Sequence, residues 1–283
     1  MATKKAASKA KSAAKKTVKK AETKPTKTTE STVKKIQAKE KETFSNAFTK
    51  PSFIAALVAE LIGTFMLSAA IVTGQGQPII IMFALIAIVL VVGHVSGAHV
   101  NPLITVGAWA TKRISSVRMV SYVLAQILGA MLAFVVLNAF ISQAAEPSAQ
   151  ELAYGQTAPT LFTAGAIVEG KEFLILMAEL IGSMIFAFAV ANVTSDKKKN
   201  EMSVAAGVGG GLFIAAMVAG SAASIASASA ILNPAVAISL QAYTIEGTNG
   251  VWAFAIYAIT AIAGGILGFG LSTIVEKARG AEK

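Results

Sequence analysis

Cysteine is absent from the 283 residues of this chain, which excludes disulfides and thiolate chemistry. Its two histidines, His94 and His99, are too few for a convincing metal site without cysteine, and no cofactor or metal is expected. Charged residues are also scarce, at 14%, where a soluble domain has about a quarter. With 54% hydrophobic residues and a mean hydropathy of +0.64, the composition predicts a polytopic membrane protein.

The net charge of +10 is concentrated in the N-terminal tail. Residues 1–50 hold 15 lysines and four glutamates, a net charge of +11, whereas the rest of the chain carries −1. The tail has no arginine and no apolar core, so it is neither a secretory signal peptide nor a typical transit peptide. We expect a disordered tail that lies on anionic lipid, and nucleic acid binding is the weaker alternative. The expected division is a tail over 1–50, a membrane domain over 51–276 and a C-terminal tail over 277–283.

Six long apolar segments follow the tail. Each is long enough to cross a bilayer as a helix, which predicts an all-α membrane protein. The segments cover residues 53–73, 78–96, 118–141, 172–193, 203–222 and 250–275.

Lysine and arginine occur on alternate connections between these segments, apart from the single basic residue Lys171. Because basic residues favour the cytoplasmic side, this pattern predicts a multi-pass protein of the cell membrane with both termini in the cytoplasm. The basic connections hold the tail, then Lys112, Arg113 and Arg118, then Lys197, Lys198 and Lys199, and finally Lys277, Arg279 and Lys283.

Two stretches, Asn101-Pro102-Leu103 and Asn233-Pro234-Ala235, each open an apolar run of about a dozen residues. Asparagine is a favoured N-cap, and proline fits the first helical turn, where its missing N–H costs nothing. At ~1.5 Å per residue, such a helix covers about half of a ~30 Å hydrocarbon core. The sequence therefore predicts two half-helices, over 104–111 and 236–243.

An internal duplication relates the two half-helices. Ala-Glu-Leu-Ile-Gly occurs at residues 59–63 and again at 178–182. Asn101 follows Glu60 by 41 residues, and Asn233 follows Glu179 by 54. Three spans per half is an odd number, so the two repeats are inverted relative to each other. Interrupted apolar segments at corresponding places in two halves point to a site at the membrane midplane.

In this arrangement the positive ends of the two half-helices meet, where they repel protons and other cations but not neutral molecules. The amides of Asn101 and Asn233 can donate hydrogen bonds to a passing oxygen. The Gly/Ser/Ala-rich runs before them can present a ladder of backbone carbonyls. This combination favours a pore for small neutral solutes. The candidate carbonyls belong to Gly97, Ala98, His99, Ser229 and Ile231.

These motifs resemble the aquaporin (major intrinsic protein) family over about residues 53 to 277. The resemblance lies in Ala-Glu-Leu-Ile-Gly-Thr around Glu60, in Ser-Gly-Ala-His-Val-Asn-Pro ending at Pro102, and in the second Asn-Pro-Ala. It implies an hourglass of six spans and two re-entrant half-helices, a homotetramer, and passage of water or small neutral solutes such as glycerol or urea. It also implies that Glu60 and Glu179 accept hydrogen bonds from the re-entrant loops.

The chain departs from the family pattern at Leu103, where alanine is usual, and at Val236, where water and glycerol channels usually have arginine. Leu103 is expected to alter the packing of one half-helix on the other. The resemblance implies an outer constriction, and carrying it over by spacing from the two motifs gives a small, uncharged and largely apolar ring, which implies a wide selectivity filter. In the alternative, Val236 only packs and another side chain such as Phe83 narrows the pore. The filter positions are Ile81, Ser221, Ala230 and Val236.

Two hypotheses of other classes stay open at this point. A secondary transporter also uses inverted repeats and broken helices, but it needs intramembrane charges for coupling, and Glu60 and Glu179 alone are available. Alternatively, the membrane part is an anchor for a basic tail that binds lipid or nucleic acid. An enzyme is disfavoured, because no catalytic constellation occurs outside the glutamate pair.

Overall fold

The computed structural model describes residues 43–196, 199–244 and 249–281, which are helical with no β-strand among them. The lysine-rich residues 1–42 lie outside the described ones, as do Lys197, Lys198 and Lys283 from the orientation argument. In chain order the helices are α1 (Phe44–Phe48), α2 (Pro51–Thr73), α3 (Pro78–Ser96), α4 (Pro102–Ala110), α5 (Ser116–Ile141), α6 (Ala149–Ala153), α7 (Glu172–Ser195), α8 (Glu201–Ser224), α9 (Val236–Ser239), α10 (Gly250–Phe254) and α11 (Ala261–Ala281).

Six helices are long and apolar enough to cross a membrane, which confirms the six predicted spans. Five of them are α2, α3, α5, α7 and α8. The sixth runs over Gly250–Gly280 and joins α10 to α11 through a π-helical segment, Ala255–Thr260. At 31 residues it is ~46 Å long, more than a ~30 Å hydrocarbon core requires.

The end of the predicted disordered tail differs from expectation. Residues 44–48 form the short helix α1, and Ala47 is fully buried in a small cluster with Phe53 and Val117. The ring of Phe48 meets that of Phe53 edge-on, with centroids 5.4 Å apart. These apolar contacts with α2 and α5 stabilise a helix that the polar composition of the tail as a whole does not predict.

The two half-helices are present; the first has about the predicted length, and the second is half as long as predicted. The first, α4, has nine residues, and the second, α9, has four. Both end in the same way: the N–H groups of Arg113 and Ala242 bond back to Ala108 and Ala237, closing a Schellman motif. The left-handed residue of each motif is Lys112 (φ 61°) or Gln241 (φ 55°). Because the left-handed residue follows the Asn-Pro start three residues earlier in the second half, α9 is about one turn shorter.

Each half-helix packs mainly against the other half of the chain. In the first half α2 packs on α3 and α5, and in the second half α7 packs on α8 and α11. The half-helix of the first half, α4, packs mainly on α11 of the second half, while α9 packs mainly on α5 of the first. Each half therefore supports the re-entrant element of the other, as an inverted repeat requires.

Close contact between α4 and α11 depends on two glycines. A Cβ at Gly265 would collide with the backbone carbonyl of Leu103, and one at Gly107 would lie 2.5 Å from the ring of Phe269. Leu103 itself is fully buried. Small residues that let two backbones approach are a usual device for packing helices in membranes.

This contact predicts that Gly265→Ala destabilises the protein by about 1–3 kcal/mol, because the backbone of α4 must shift to admit the methyl group. Gly270→Ala on the same helix is the matched control. No atom lies within 4 Å of its added Cβ, and alanine is the better helix former. Thermal unfolding of the purified protein in detergent, followed by size-exclusion chromatography, measures both. Equal midpoints for the two variants would contradict the proposed contact.

Candidate functional site

The caps of the two half-helices are hydrogen-bonded to each other's loops. Asn101 Nδ2 donates to the carbonyl of Leu232 at 2.8 Å, and Asn233 Nδ2 donates to the carbonyl of Val100 at 3.1 Å. The Oδ1 atom of each asparagine accepts from its own helix start, from the N–H of Leu103 and of Ala235. An amide nitrogen carries two N–H groups. One N–H of each asparagine is used in the cross bond, which leaves the other for a further acceptor.

The residues before the asparagines have left-handed backbone conformations. Val100 has φ 42° and Leu232 has φ 56°. This region is unfavourable for side chains larger than glycine, and for the β-branched Val100 above all, so the surrounding structure must hold both residues there.

Glu60 holds the first re-entrant loop, residues 97–101, which connects α3 to α4. Its Oε1 accepts from Ser96 Oγ at 2.6 Å and from the N–H of His99 at 2.9 Å. Its Oε2 accepts from the N–H of Val100 and from Gln126 Nε2, both at 2.7 Å. The carboxyl group is fully buried and accepts four hydrogen bonds, which meets the requirement that a buried acceptor be satisfied.

Glu179 holds the second re-entrant loop, residues 225–235 between α8 and α9, and accepts fewer hydrogen bonds than Glu60 does. Its oxygens accept from the N–H groups of Ile231 at 3.0 Å and Leu232 at 2.7 Å. Two tyrosine hydroxyls complete the support: Tyr257 donates to the carbonyl of Ser229 at 3.1 Å, and Tyr243 donates to that of Pro234 at 3.0 Å. Tyr257 belongs to the π-helical segment of the last span.

The glycine of each Ala-Glu-Leu-Ile-Gly repeat makes room for the same left-handed residue. A Cβ at Gly63 would lie 2.5 Å from Val100 Cγ1, and one at Gly182 would lie 2.6 Å from Leu232 Cδ2. In both halves the glutamate therefore binds the backbone of the residue before asparagine, and the glycine three positions later accommodates its side chain.

Two cavities approach this junction from opposite sides. The Phe162 cavity, about 200 Å³, is lined by residues that include Phe162, Asn101, Asn233 and Val236. The Arg113 cavity, about 260 Å³, is lined by residues that include Arg113 and Phe269. Three residues line both cavities: Leu85, His99 and Phe186. The two cavities are therefore neighbours across these three side chains, which we call the neck, and the asparagine caps line the Phe162 cavity beside it.

The structure brings most of the predicted site residues to these cavities. The first of the candidate carbonyl residues, Gly97 and Ala98, line the Arg113 cavity, and His99 lines both. The side chain of His99 is placed by Thr105, whose Oγ1 lies 3.1 Å from Nδ1. The motif residues Pro102, Leu103, Pro234 and Ala235 are buried at the starts of the half-helices. The Phe162 cavity is lined by Ile81, Ser229, Ala230, Ile231 and Val236.

Ser221 lies elsewhere than spacing predicts. It is exposed and does not line either cavity, whereas Gly220, one position earlier on α8, lines the Phe162 cavity. The cause is rotational, because α8 continues as a helix to Ser224 and adjacent residues on a helix face different directions. Phe83, the alternative narrowing residue, is 62% exposed and does not line the cavities either.

Phe162 is a lining residue that the sequence did not single out. It lies in the connection between α6 and α7, which folds back over the second re-entrant loop. The N–H of Ala164 donates to the carbonyl of Leu240 at 2.9 Å, and that of Gly165 donates to Ser229 Oγ at 2.9 Å. The phenyl ring packs against Gly76, where a Cβ would lie 2.6 Å away. These contacts join residues that are far apart in the sequence, so no local sequence pattern predicts them.

Arg113 is a second lining residue that the sequence motifs do not predict. In the sequence it stands out only as one of the basic residues that indicate orientation. Its N–H closes the Schellman motif at the end of α4. Over the described part of the chain, no group of three or more His, Cys, Asp or Glu side chains could hold a metal ion.

Comparisons with known proteins agree with this architecture. The family profile described as Major intrinsic protein matches residues 47–271. Aquaporin NIP1-1 of Zea mays is 26% identical over 238 residues, which cover 80% of this chain and 77% of the relative. Glycerol uptake facilitator protein-like 6 of Lactiplantibacillus plantarum is 29% identical over 153 residues, 50% of this chain and 65% of the relative. The X-ray structure of the aquaglyceroporin from Plasmodium falciparum has the same fold, with a TM-score of 0.60 and 16% identity over 77% of this chain and 94% of that one.

The two buried glutamates yield a prediction about stability. Glu60→Gln and Glu179→Gln each replace one accepting oxygen by an NH₂ group that faces a backbone N–H, and an unsatisfied buried group costs about 1–3 kcal/mol. Both variants are expected to unfold at lower temperature than the wild type in detergent. Glu169→Gln, at an exposed position, is the control and is expected to leave the midpoint unchanged. Buried variants that match this control would refute the anchoring role.

Proposed function

Since the chain belongs to the major intrinsic protein family, we propose that it is a passive channel for water and small neutral solutes, without enzymatic turnover. The observation that carries the proposal is the pair of cross-bonded asparagine caps, which line the Phe162 cavity beside its neck with the Arg113 cavity. A solute oxygen that passes the neck meets the remaining N–H groups of Asn101 and Asn233. It also meets backbone carbonyls on both sides. A continuous set of donors and acceptors replaces the hydration shell of a neutral polar solute, which lowers the cost of entry.

The glutamates support a channel and not a coupled transporter. Glu60 and Glu179 are fully buried behind the re-entrant loops, and their oxygens are occupied by N–H and O–H donors of those loops. They are not among the residues that line either cavity. A carboxylate that exchanges protons or binds a coupling ion needs access to the solute path, so we assign both residues to loop support.

The selectivity filter of the proposed channel is uncharged and relatively wide. Ile81, Gly220 and Ala230 supply aliphatic or glycine surface to the Phe162 cavity, and Phe162 supplies the aromatic group. Val236 is fully buried in the wall of this cavity. No lysine, arginine, aspartate or glutamate lines this cavity among the described residues. Such a ring favours solutes of the size of glycerol or urea as well as water, and glycerol uptake is the named role of one relative.

The surroundings follow from the family and from the charge pattern. We place the protein in the cell membrane as a homotetramer, with a pore in each subunit and both termini in the cytoplasm. The Arg113 cavity then opens to the cytoplasm and the Phe162 cavity to the outside. The channel domain covers residues 51–276, and the lysine-rich tail binds anionic lipid of the cytoplasmic leaflet, with nucleic acid as the weaker alternative partner.

A permeability panel tests the function. Proteoliposomes with the purified full chain are expected to swell or shrink faster than empty liposomes in gradients of glycerol or urea, and in a water gradient set by an impermeant osmolyte. Stopped-flow light scattering measures these rates. Imposed proton or sodium gradients are expected to leave solute uptake unchanged, because the channel has no coupling site. Concentrative uptake driven by either ion would establish a transporter instead.

Two substitutions in the Phe162 cavity test the filter. Val236→Arg adds bulk and charge and is expected to lower glycerol permeability roughly tenfold, and more than water permeability. Phe162→Ala removes the ring and is expected to raise the ratio of glycerol to water permeability. Phe173→Ala is the matched control, because Phe173 is 73% exposed and is not among the residues that line the cavity. A ratio that both cavity variants leave unchanged would place the filter elsewhere.

A further inference from the structure

The conduit formed by the two cavities has one permanently charged side chain among its described lining residues, that of Arg113. Among the described residues, no lysine, arginine, aspartate or glutamate lines the Phe162 cavity, and the residue after the second Asn-Pro-Ala motif is Val236. A guanidinium group stays protonated in proteins. The fixed positive charge of this conduit is therefore at the mouth opposite to the filter.

Two helices of the second half hold the guanidinium group of Arg113. Nη1 donates to the carbonyl of Ala191 on α7 at 2.8 Å, and Nη2 donates to Glu276 Oε1 on α11 at 2.9 Å. The ring of Phe269 lies beneath it, with its centroid 5.1 Å from Cζ. An arginine has five N–H donors, of which these bonds use two. The charge is thus fixed in position, and donors remain for water or solute in the cavity.

The ion pair with Glu276 does not cancel the field in the cavity, because the two partners are placed differently. Arg113 lines the cavity, whereas Glu276 does not. The carboxylate also accepts a hydrogen bond from Ser272 Oγ at 3.1 Å, one turn earlier on α11. The pair therefore acts as a dipole whose positive end is directed into the conduit, where apolar walls keep the local dielectric low.

We propose that Arg113 is the residue that excludes cations from this channel, at the Arg113 cavity, in place of a charge in the filter. The proposal rests on the function proposed above. A cation that enters from the Arg113 side meets the guanidinium group before it reaches the neck, and one that enters through the uncharged Phe162 cavity meets it on the way out. The half-helix ends add to the same barrier from the midplane. Neutral solutes pay no such cost and can use the spare N–H groups.

The test compares two substitutions at one position in proteoliposomes. Arg113→Gln removes the charge and keeps a hydrogen-bond donor, whereas Arg113→Lys keeps the charge and loses the planar fork. The ratio of K⁺ flux, read with an entrapped K⁺-sensitive dye, to water permeability is expected to rise roughly tenfold for Arg113→Gln. For Arg113→Lys it is expected to stay near the wild-type ratio. Arg279→Gln, at an exposed position of α11, is the control and is expected to match the wild type.

Each outcome decides the proposal. A leak in the Gln variant alone supports charge exclusion by Arg113. Equal leaks in the Gln and Lys variants would mean that Arg113 only ties α4 to α7 and α11, and no leak in either would leave exclusion to the half-helix ends; both results overturn the proposal. Failure of the proposed function is seen separately, as wild-type water permeability no higher than that of empty liposomes. Size-exclusion profiles of all variants exclude misfolding as the cause.

Discussion

The hydrogen bonds that the two asparagine caps exchange hold the centre of the molecule together. Each asparagine caps its own half-helix through Oδ1 and satisfies, through Nδ2, a carbonyl that belongs to the other half of the chain. Non-helical backbone at this depth has no water to bond except in the conduit, so its polar groups must be satisfied by the protein or by the solute. The buried carboxyl groups of Glu60 and Glu179 satisfy the N–H groups on the other side of the same loops. The cross bonds use one amide hydrogen of each asparagine and leave the other for a further acceptor.

Much of this arrangement could be predicted from the sequence, because it is written in short local patterns that occur twice. Asn-Pro predicts a helix start wherever it occurs, and two such starts in duplicated halves with three spans each predict an inverted pair. The repeated Ala-Glu-Leu-Ile-Gly has a specific physical reason. The glutamate binds the backbone of Val100 or Leu232, and the glycine accommodates the side chain of the same residue.

The features that sequence did not predict depend on contacts between distant residues or on helix rotation. The length of α9 is set by the left-handed Gln241, a residue type that carries no strong stop signal. Gly220 lines the Phe162 cavity and Ser221 does not. Counting residues from Asn233 does not determine how α8 is rotated about its axis, and so does not determine which of its residues face the cavity. Phe162 is placed by the bond of nearby Gly165 to Ser229, which lies 64 positions away in the chain. Arg113 is placed by its bond to Ala191, which lies 78 positions away.

The exchange of supports between halves has a consequence for how the protein is made. The first half-helix, α4, packs on α11, which is the last span to leave the ribosome. Until that span is inserted, Pro102–Ala110 lacks its main neighbour. The carbonyl of Val100 likewise lacks its donor until Asn233 has been translated. The loop at residues 97–100 and the half-helix after it therefore lack part of their contacts while more than half of the chain is still to be translated. The packing of the first half-helix therefore depends on residues that lie more than 150 positions later in the chain.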